Sequence, residues 1–141
     1  LAAGHFLQAG QPARAADLFR QAGEHARRLY ANSEAQAAFQ AAISAGHPDL
    51  AGLHEACGDL YTLQDNYREA VASYQTASAF CEPEQLSNVM HKMGEVYHRQ
   101  GDWEAAKGYF RAALDAAGEN GRPAWLTHLF ADWSLTFYRS G

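Results

Sequence analysis

The residues best suited to chemistry in this chain are histidines and carboxylates spaced at helical intervals. His91 and Glu95 stand four residues apart, so on a helix both would face one side and could ligate one metal ion. His98 follows His91 by seven residues, which places the two imidazoles about 10–11 Å apart along a helix. One zinc ion cannot bridge that gap, because each zinc–nitrogen bond is about 2.1 Å long. Two ligands do not make a metal site, so we predict no bound metal.

A second pair, Glu55 and Asp59, has the same four-residue spacing and could act as a general acid and base. Nothing in the neighbouring sequence suggests an activated carboxyl group, and an acidic helix face is usually just solvated. The chain also lacks a glycine-rich phosphate loop and the HExxH, CxxC and Gly-x-Ser-x-Gly motifs. We therefore predict that the protein is not an enzyme and carries no cofactor.

Two stretches of the chain, residues 57–77 and 93–113, share one pattern at an offset of 36 residues without a gap. Small residues coincide at Gly58 and Gly94, and aromatic residues coincide at Tyr74 and Phe110. Self-similarity at a fixed period predicts a stack of repeated structural units. The other matches pair Tyr61 with Tyr97, Tyr67 with Trp103, Ala70 with Ala106 and Ala77 with Ala113.

Each repeated unit is predicted to be two helices joined by a tight turn. Gly101 suits the left-handed position past a helix end, and Asp102 suits the N-cap of the next helix. Asp65-Asn66 occupies the same place one unit earlier, with Asn66 as the predicted cap. Small residues on one helix let the backbone of the other approach, and aromatic side chains fill the space beside them.

The spacing of small and large residues in residues 51–84 and 87–120 resembles the tetratricopeptide repeat. The resemblance implies an all-α, right-handed α-solenoid of helix-turn-helix repeats, with about eight helices and truncated ends. It also implies a single domain over residues 1–141, with irregular repeats in residues 1–46 and a partial repeat in residues 123–141.

The front of the chain carries a weaker form of the pattern. One helix, from about Pro12 to Tyr30, is predicted to serve two overlapping repeat frames. Asn32-Ser33 is predicted to cap the following helix, and Gly46-His47-Pro48 is predicted to end it.

Both ends of the chain read as interrupted repeats, so we expect a fragment of a larger protein. A complete solenoid carries a polar capping helix at each end, and neither end has that composition. Apolar side chains at the ends would then be uncovered and would favour self-association. These side chains are Phe6, Leu7, Trp125, Leu126, Leu129, Phe130 and Trp133.

Composition narrows the classes of partner. A formal net charge of −5 argues against nucleic acid, whose binding depends on clustered Lys and Arg. The sequence has no run of about 20 apolar residues, so we predict no membrane span. The two cysteines, Cys57 and Cys81, are too few for a disulfide framework, and we predict that both are reduced and the protein cytoplasmic.

The tetratricopeptide resemblance implies that the first helix of each unit lines a concave groove that binds a protein or peptide. The family's chaperone-tail clamp uses Lys and Asn to grip a C-terminal carboxylate. The acidic residues Glu55 and Asp59 stand at the corresponding positions here, so the comparison with the family disfavours that function. We also expect Glu55→Ala or Lys92→Ala to change stability by at most about 0.5 kcal/mol. The predicted contact residues are Glu55, Asp59, Asn88, His91, Lys92, Glu95, His98, Arg99, His128 and Tyr138.

The front third of the chain, with its run Ala9-Gly-Gln-Pro-Ala-Arg, is similar to the helical arm of large bacterial signalling ATPases and adenylate-cyclase-associated proteins. That resemblance implies a protein–protein interaction or ligand-sensing scaffold module of a larger bacterial signalling protein. The alternative is a purely structural spacer or self-association module. An enzyme built on a helical solenoid is the least favoured hypothesis.

Overall fold

A computed structural model describes residues 12–118 of the chain. Within them the chain forms α-helices and no strands. The six helices are α1 (Pro12–Arg28), α2 (Asn32–Ser44), α3 (Leu50–Leu63), α4 (Tyr67–Phe80), α5 (Pro83–Arg99) and α6 (Trp103–Ala117).

Helices that follow one another pack in pairs: α1 with α2, α3 with α4, and α5 with α6. Each pair then stacks on the next through α2 against α3 and α4 against α5. This arrangement confirms the predicted all-α solenoid of helix-turn-helix units. The predicted helix from about Pro12 to Tyr30 is also confirmed, since α1 begins at Pro12 and ends two residues early, at Arg28.

The same contact between a glycine and an aromatic ring holds each helix pair together. A Cβ added to Gly23 would lie 2.7 Å from the Phe39 ring, and one added to Gly58 would lie 2.5 Å from the Tyr74 ring. Gly94 meets the Phe110 ring in the same way. Real Cβ atoms need more room than this, so a glycine is required wherever the ring of the second helix crosses the first.

The turns inside the three pairs share one backbone conformation. Gly101 has a φ of +80°, and the corresponding Asp65 and Tyr30 have φ values of 59° and 58°. As predicted, Asp102 caps α6, accepting a hydrogen bond from the backbone N–H of Ala105 at 3.2 Å.

Two other predicted caps differ from the structure. Asn66 occupies the N-cap position of α4, but its side chain makes no capping hydrogen bond. The predicted cap Asn32-Ser33 is wrong by one residue, because α2 begins at Asn32 and Ala31 is its N-cap. In all three turns the backbone N–H of the N-cap residue bonds back to a carbonyl of the preceding helix, at 2.9 Å for Ala31 and Asn66 and at 3.0 Å for Asp102. The turns thus share this backbone bond whether or not a side chain also caps the helix.

Buried apolar side chains form a core within and between the pairs, and Cys57 belongs to it. None of the helices among residues 12–118 is long and apolar enough to cross a membrane. The predicted uncovered side chains Phe6, Leu7, Trp125, Leu126, Leu129, Phe130 and Trp133, and the predicted repeat over 123–141, lie outside the described residues.

We expect Gly94→Ala to destabilise the protein by roughly 1–3 kcal/mol, because the added methyl group would collide with the Phe110 ring. Gly108→Ala is the matched control on α6, where a Cβ meets nothing within 4 Å. That change should be neutral or stabilise by at most about 1 kcal/mol, since alanine has the higher helix propensity. Urea melts of both variants measure the difference, and equal midpoints would show that the Gly94 contact is not tight.

Candidate functional site

Asp59, near the middle of α3, connects all three helix pairs. Its Oδ1 accepts a hydrogen bond from the Tyr74 hydroxyl at 2.6 Å. Its Oδ2 accepts one from the Arg27 guanidinium of α1 at 3.0 Å. The Lys92 ammonium of α5 lies 3.1 Å away. One carboxylate therefore binds donors from the preceding pair, its own pair and the following pair.

Lys92 completes this network by pairing with a second carboxylate, since its Nζ also donates to Glu55 Oε2 at 2.5 Å. The Lys92 side chain is 31% exposed, Glu55 24% and Asp59 18%, so these charges are only partly hydrated. Burial lowers the pKa of Lys92, but the charges and hydrogen bonds of Asp59 and Glu55 outweigh it and raise the pKa overall. Lys92 therefore remains a cation bound to two anions.

Tyr74 connects this polar cluster to the core. The other two pairs have Phe39 and Phe110 at the corresponding position, so only this pair has a hydroxyl there. Burial, followed by the nearby charge of Asp59, raises the pKa of Tyr74. The hydroxyl thus stays protonated and acts as a donor that orients Asp59.

A cleft of about 220 Å³ opens beside the cluster. We call the surface that carries the cleft and the cluster the groove face. It is built mainly from α1, α3 and α5, and of these α3 and α5 carry the groove residues that the tetratricopeptide resemblance implies. The cleft is lined by Arg27, Asp59, Thr62, Leu63, Tyr74, Lys92, Glu95 and Arg99.

The two predicted histidines of α5 differ in exposure, since His91 is buried and His98 is half-buried. His91 is 7% exposed, and its ring lies 5.8 Å from the ring of Phe110. Its Nδ1 is 3.2 Å from Glu95 Oε1, so it holds that carboxylate in place. His98 packs edge-on against Trp103 at 5.1 Å. Within residues 12–118 no three His, Cys, Asp or Glu side chains form a group that could hold a metal.

The remaining predicted contact residues fall in three places. Arg99 is exposed and borders the cleft, whereas Asn88 is half-buried near the start of α5. His128 and Tyr138 lie outside the described residues. The structure thus brings Glu55, Asp59, Lys92, Glu95 and Arg99 to one face, and it gives His91 a supporting position.

Sequence reasoning missed two members of the site, Arg27 and Tyr74. Arg27 precedes Asp59 by 32 residues in the chain, and no local spacing relates the two. Tyr74 did carry a signal, because a hydroxyl in a slot that other pairs fill with phenylalanine needs a partner when buried. The interpretation of Glu55 and Asp59 as a solvated acidic face is wrong, since both are partly buried and ion-paired.

Comparison with known proteins agrees with this architecture. Residues 53–85 and 89–124 match the tetratricopeptide repeat family. These two segments correspond to the pairs α3–α4 and α5–α6. No curated protein sequence matches the chain.

Solved tetratricopeptide structures share the fold at low sequence identity. The TPR2B domain of yeast Sti1, solved as a complex with pHsp70, has a TM-score of 0.78 at 13% identity and covers 88% of this chain and 97% of its own. The N-terminal domain of STI-1 from C. elegans has a TM-score of 0.71 at 16% identity, over 86% and 96%. YrrB, a TPR protein with an unusual peptide-binding site, has a TM-score of 0.67 at 16% identity, over 98% and 74%.

The paired state of Lys92 changes the expected effect of removing it. We now expect Lys92→Ala to destabilise the protein by about 1–2 kcal/mol, because two partly buried carboxylates lose their shared cation. A double-mutant cycle that combines Lys92→Ala with Glu55→Gln, measured by urea melts, gives the coupling free energy between the two side chains. A coupling energy near zero would mean that Lys92 and Glu55 do not interact in solution.

Proposed function

We propose that the protein is an interaction scaffold that holds a segment of a partner protein along the groove face. The observation that carries this proposal is the convergence of partly exposed charges from three successive pairs on one open cleft. Core packing does not need such charges, and desolvating them has a cost. The fold supports the proposal too, since the Sti1 domain was solved in a complex and YrrB has a peptide-binding site.

The partner is expected to contact the segment from Asn88 to Arg99, together with Glu55 and Asp59 of α3. Lys92, Glu95 and Arg99 line the cleft with accessible polar groups. His91 contributes by fixing Glu95 rather than by a contact of its own. His128 and Tyr138 remain predicted contact residues.

The pairing of charges limits the kind of partner. Arg27 and Lys92 are balanced by Glu55 and Asp59, so a carboxylate that approached Lys92 would have to displace carboxylates already bound there. A free C-terminal carboxylate is therefore a poor ligand for this groove. A segment with both charges, placed near Glu95 and Arg99, keeps every pair satisfied.

The wider setting proposed for the chain is a sensing module of a larger bacterial signalling protein, on the strength of the resemblance of its front third to signalling-ATPase arms. A cytoplasmic location fits the two free cysteines. Burial, followed by the charge of Asp59, raises the pKa of Cys57 to about 11, so this thiol is a core residue and not a nucleophile.

The test is to select peptides on the protein from a random library and to measure their affinities for two charge-reversal variants. Glu95→Lys alters the groove face, where the side chain is 40% exposed. Glu104→Lys is the matched control on α6, where the side chain is 84% exposed. We expect Glu95→Lys to weaken binding by about tenfold or more, and Glu104→Lys to leave it unchanged.

Two outcomes would contradict the proposal. Peptides that bind both variants equally would place the binding site elsewhere. A library that yields no peptide, together with concentration-dependent association of the chain in light scattering, would favour the spacer or self-association module instead.

A further inference from the structure

A second cleft, of about 390 Å³, lies between α4 and the end of α5. It shares no lining residue with the cleft of the groove face. We call it the tyrosine cleft, and its lining includes Tyr67, Arg68, Val71, Gln75, Tyr97 and Gln100. Because the two clefts are separate, binding in the tyrosine cleft does not depend on the function proposed for the groove face.

Aromatic rings stand on both sides of the tyrosine cleft. On one side Tyr97 stacks on Tyr109, with ring centroids 5.3 Å apart and planes only 5° from parallel. On the other side the Tyr67 hydroxyl donates to Asp65 at 3.0 Å, which fixes the position of that ring. Val71, partly buried against the core, lies on the same helix one turn after Tyr67. The cleft thus offers two held ring surfaces with apolar surface between them.

The polar groups of the cleft carry hydrogen-bond donors, and the glutamine amides and tyrosine hydroxyls can also accept. Gln75 and Gln100 are exposed amides, and Arg68 is an exposed guanidinium. Burial, followed by the neighbouring Tyr109, raises the pKa of Tyr97, so its hydroxyl remains protonated. Among the lining residues Arg68 is the one that carries a charge. A ligand with acceptors, apolar rings and a negative charge can therefore satisfy this lining.

The tyrosine cleft has a counterpart one unit earlier, where α2 packs on α3, and there a side-chain hydrogen bond crosses the space between the two helices. There Gln40 donates to the Tyr61 hydroxyl at 3.2 Å. Gln75 and Tyr97 hold the equivalent positions one unit later, but within the described residues no hydrogen bond joins them. The α2–α3 junction is therefore closed by a hydrogen bond, whereas the α4–α5 junction is open and is flanked by additional tyrosines.

We propose that the tyrosine cleft binds a proline-rich segment of a partner protein in the polyproline II conformation, with an acidic residue next to the prolines. Proline has no N–H, so such a segment offers backbone carbonyl acceptors to the amides of Gln75 and Gln100. Its pyrrolidine rings pack on the two tyrosine faces, which is how aromatic-lined grooves recognise such segments. The acidic residue pairs with Arg68, and a basic neighbour would be repelled by it.

The test uses the full chain and a synthetic peptide of consecutive prolines that ends in two glutamates. Amide chemical shifts in an NMR titration should move along residues 67–75 and 97–100 and saturate. A peptide with alanines in place of the prolines should bind at least about tenfold more weakly, and so should a peptide with lysines in place of the glutamates.

Two alanines of α4 supply matched variants. Ala72 lines the cleft and Ala79 does not, and both are exposed, so neither substitution disturbs the core. Ala72→Leu should weaken binding by about tenfold or more, because an uncharged, larger side chain fills the cleft without attracting the glutamates, while Ala79→Leu should leave it unchanged. The proposal is overturned if no shift saturates at millimolar peptide, if the shifts fall on the groove face, or if Ala72→Leu binds as the native chain does.

Discussion

The contact between a glycine of the first helix and an aromatic ring of the second is the constraint on which the structure depends. It sets how closely each pair packs, and it recurs at Gly23, Gly58 and Gly94. Burial of one such ring contributes roughly 3–5 kcal/mol, as judged by the cost of truncating it to alanine. A partly exposed ion pair contributes about 1 kcal/mol or less. The rings therefore hold the fold, and the charges act on a framework that already exists.

In the middle pair that ring is Tyr74, and its hydroxyl extends the packing contact to the groove face. The hydroxyl orients Asp59, and Asp59 binds Arg27 and Lys92 from the two neighbouring pairs. Replacing a partly buried ion cluster by apolar residues often stabilises a protein, so stability does not explain why this one exists. Its position on an open cleft is the reason for the role in recognition that we propose, and the cluster also links three units on one surface.

Most of the fold could be predicted from the sequence, because the 36-residue period and the spacing of small and large residues follow from how each helix packs on the next. Caps were less predictable: Asn66 stands at the N-cap position of α4, but its side chain makes no capping bond. The sequence could place the residues of α3 and α5 on the groove face, but it could not show which of them form ion pairs. Arg27, Asp59 and Lys92 come from three different units, and no local spacing relates them. Burial of His91 depends on the Phe110 ring of another helix, which helical spacing within α5 does not reveal.

The central claim, that Lys92 is held between two carboxylates, is tested most directly by titrating its ammonium group with NMR. The chain has two lysines, Lys92 and Lys107, and Lys107→Arg assigns the signals. The pKa of Lys92 should lie above the ordinary value of 10.5, and Asp59→Asn should lower it. A Lys92 signal that titrates at or below 10.5 in the folded protein, and is indifferent to Asp59→Asn, would contradict the account.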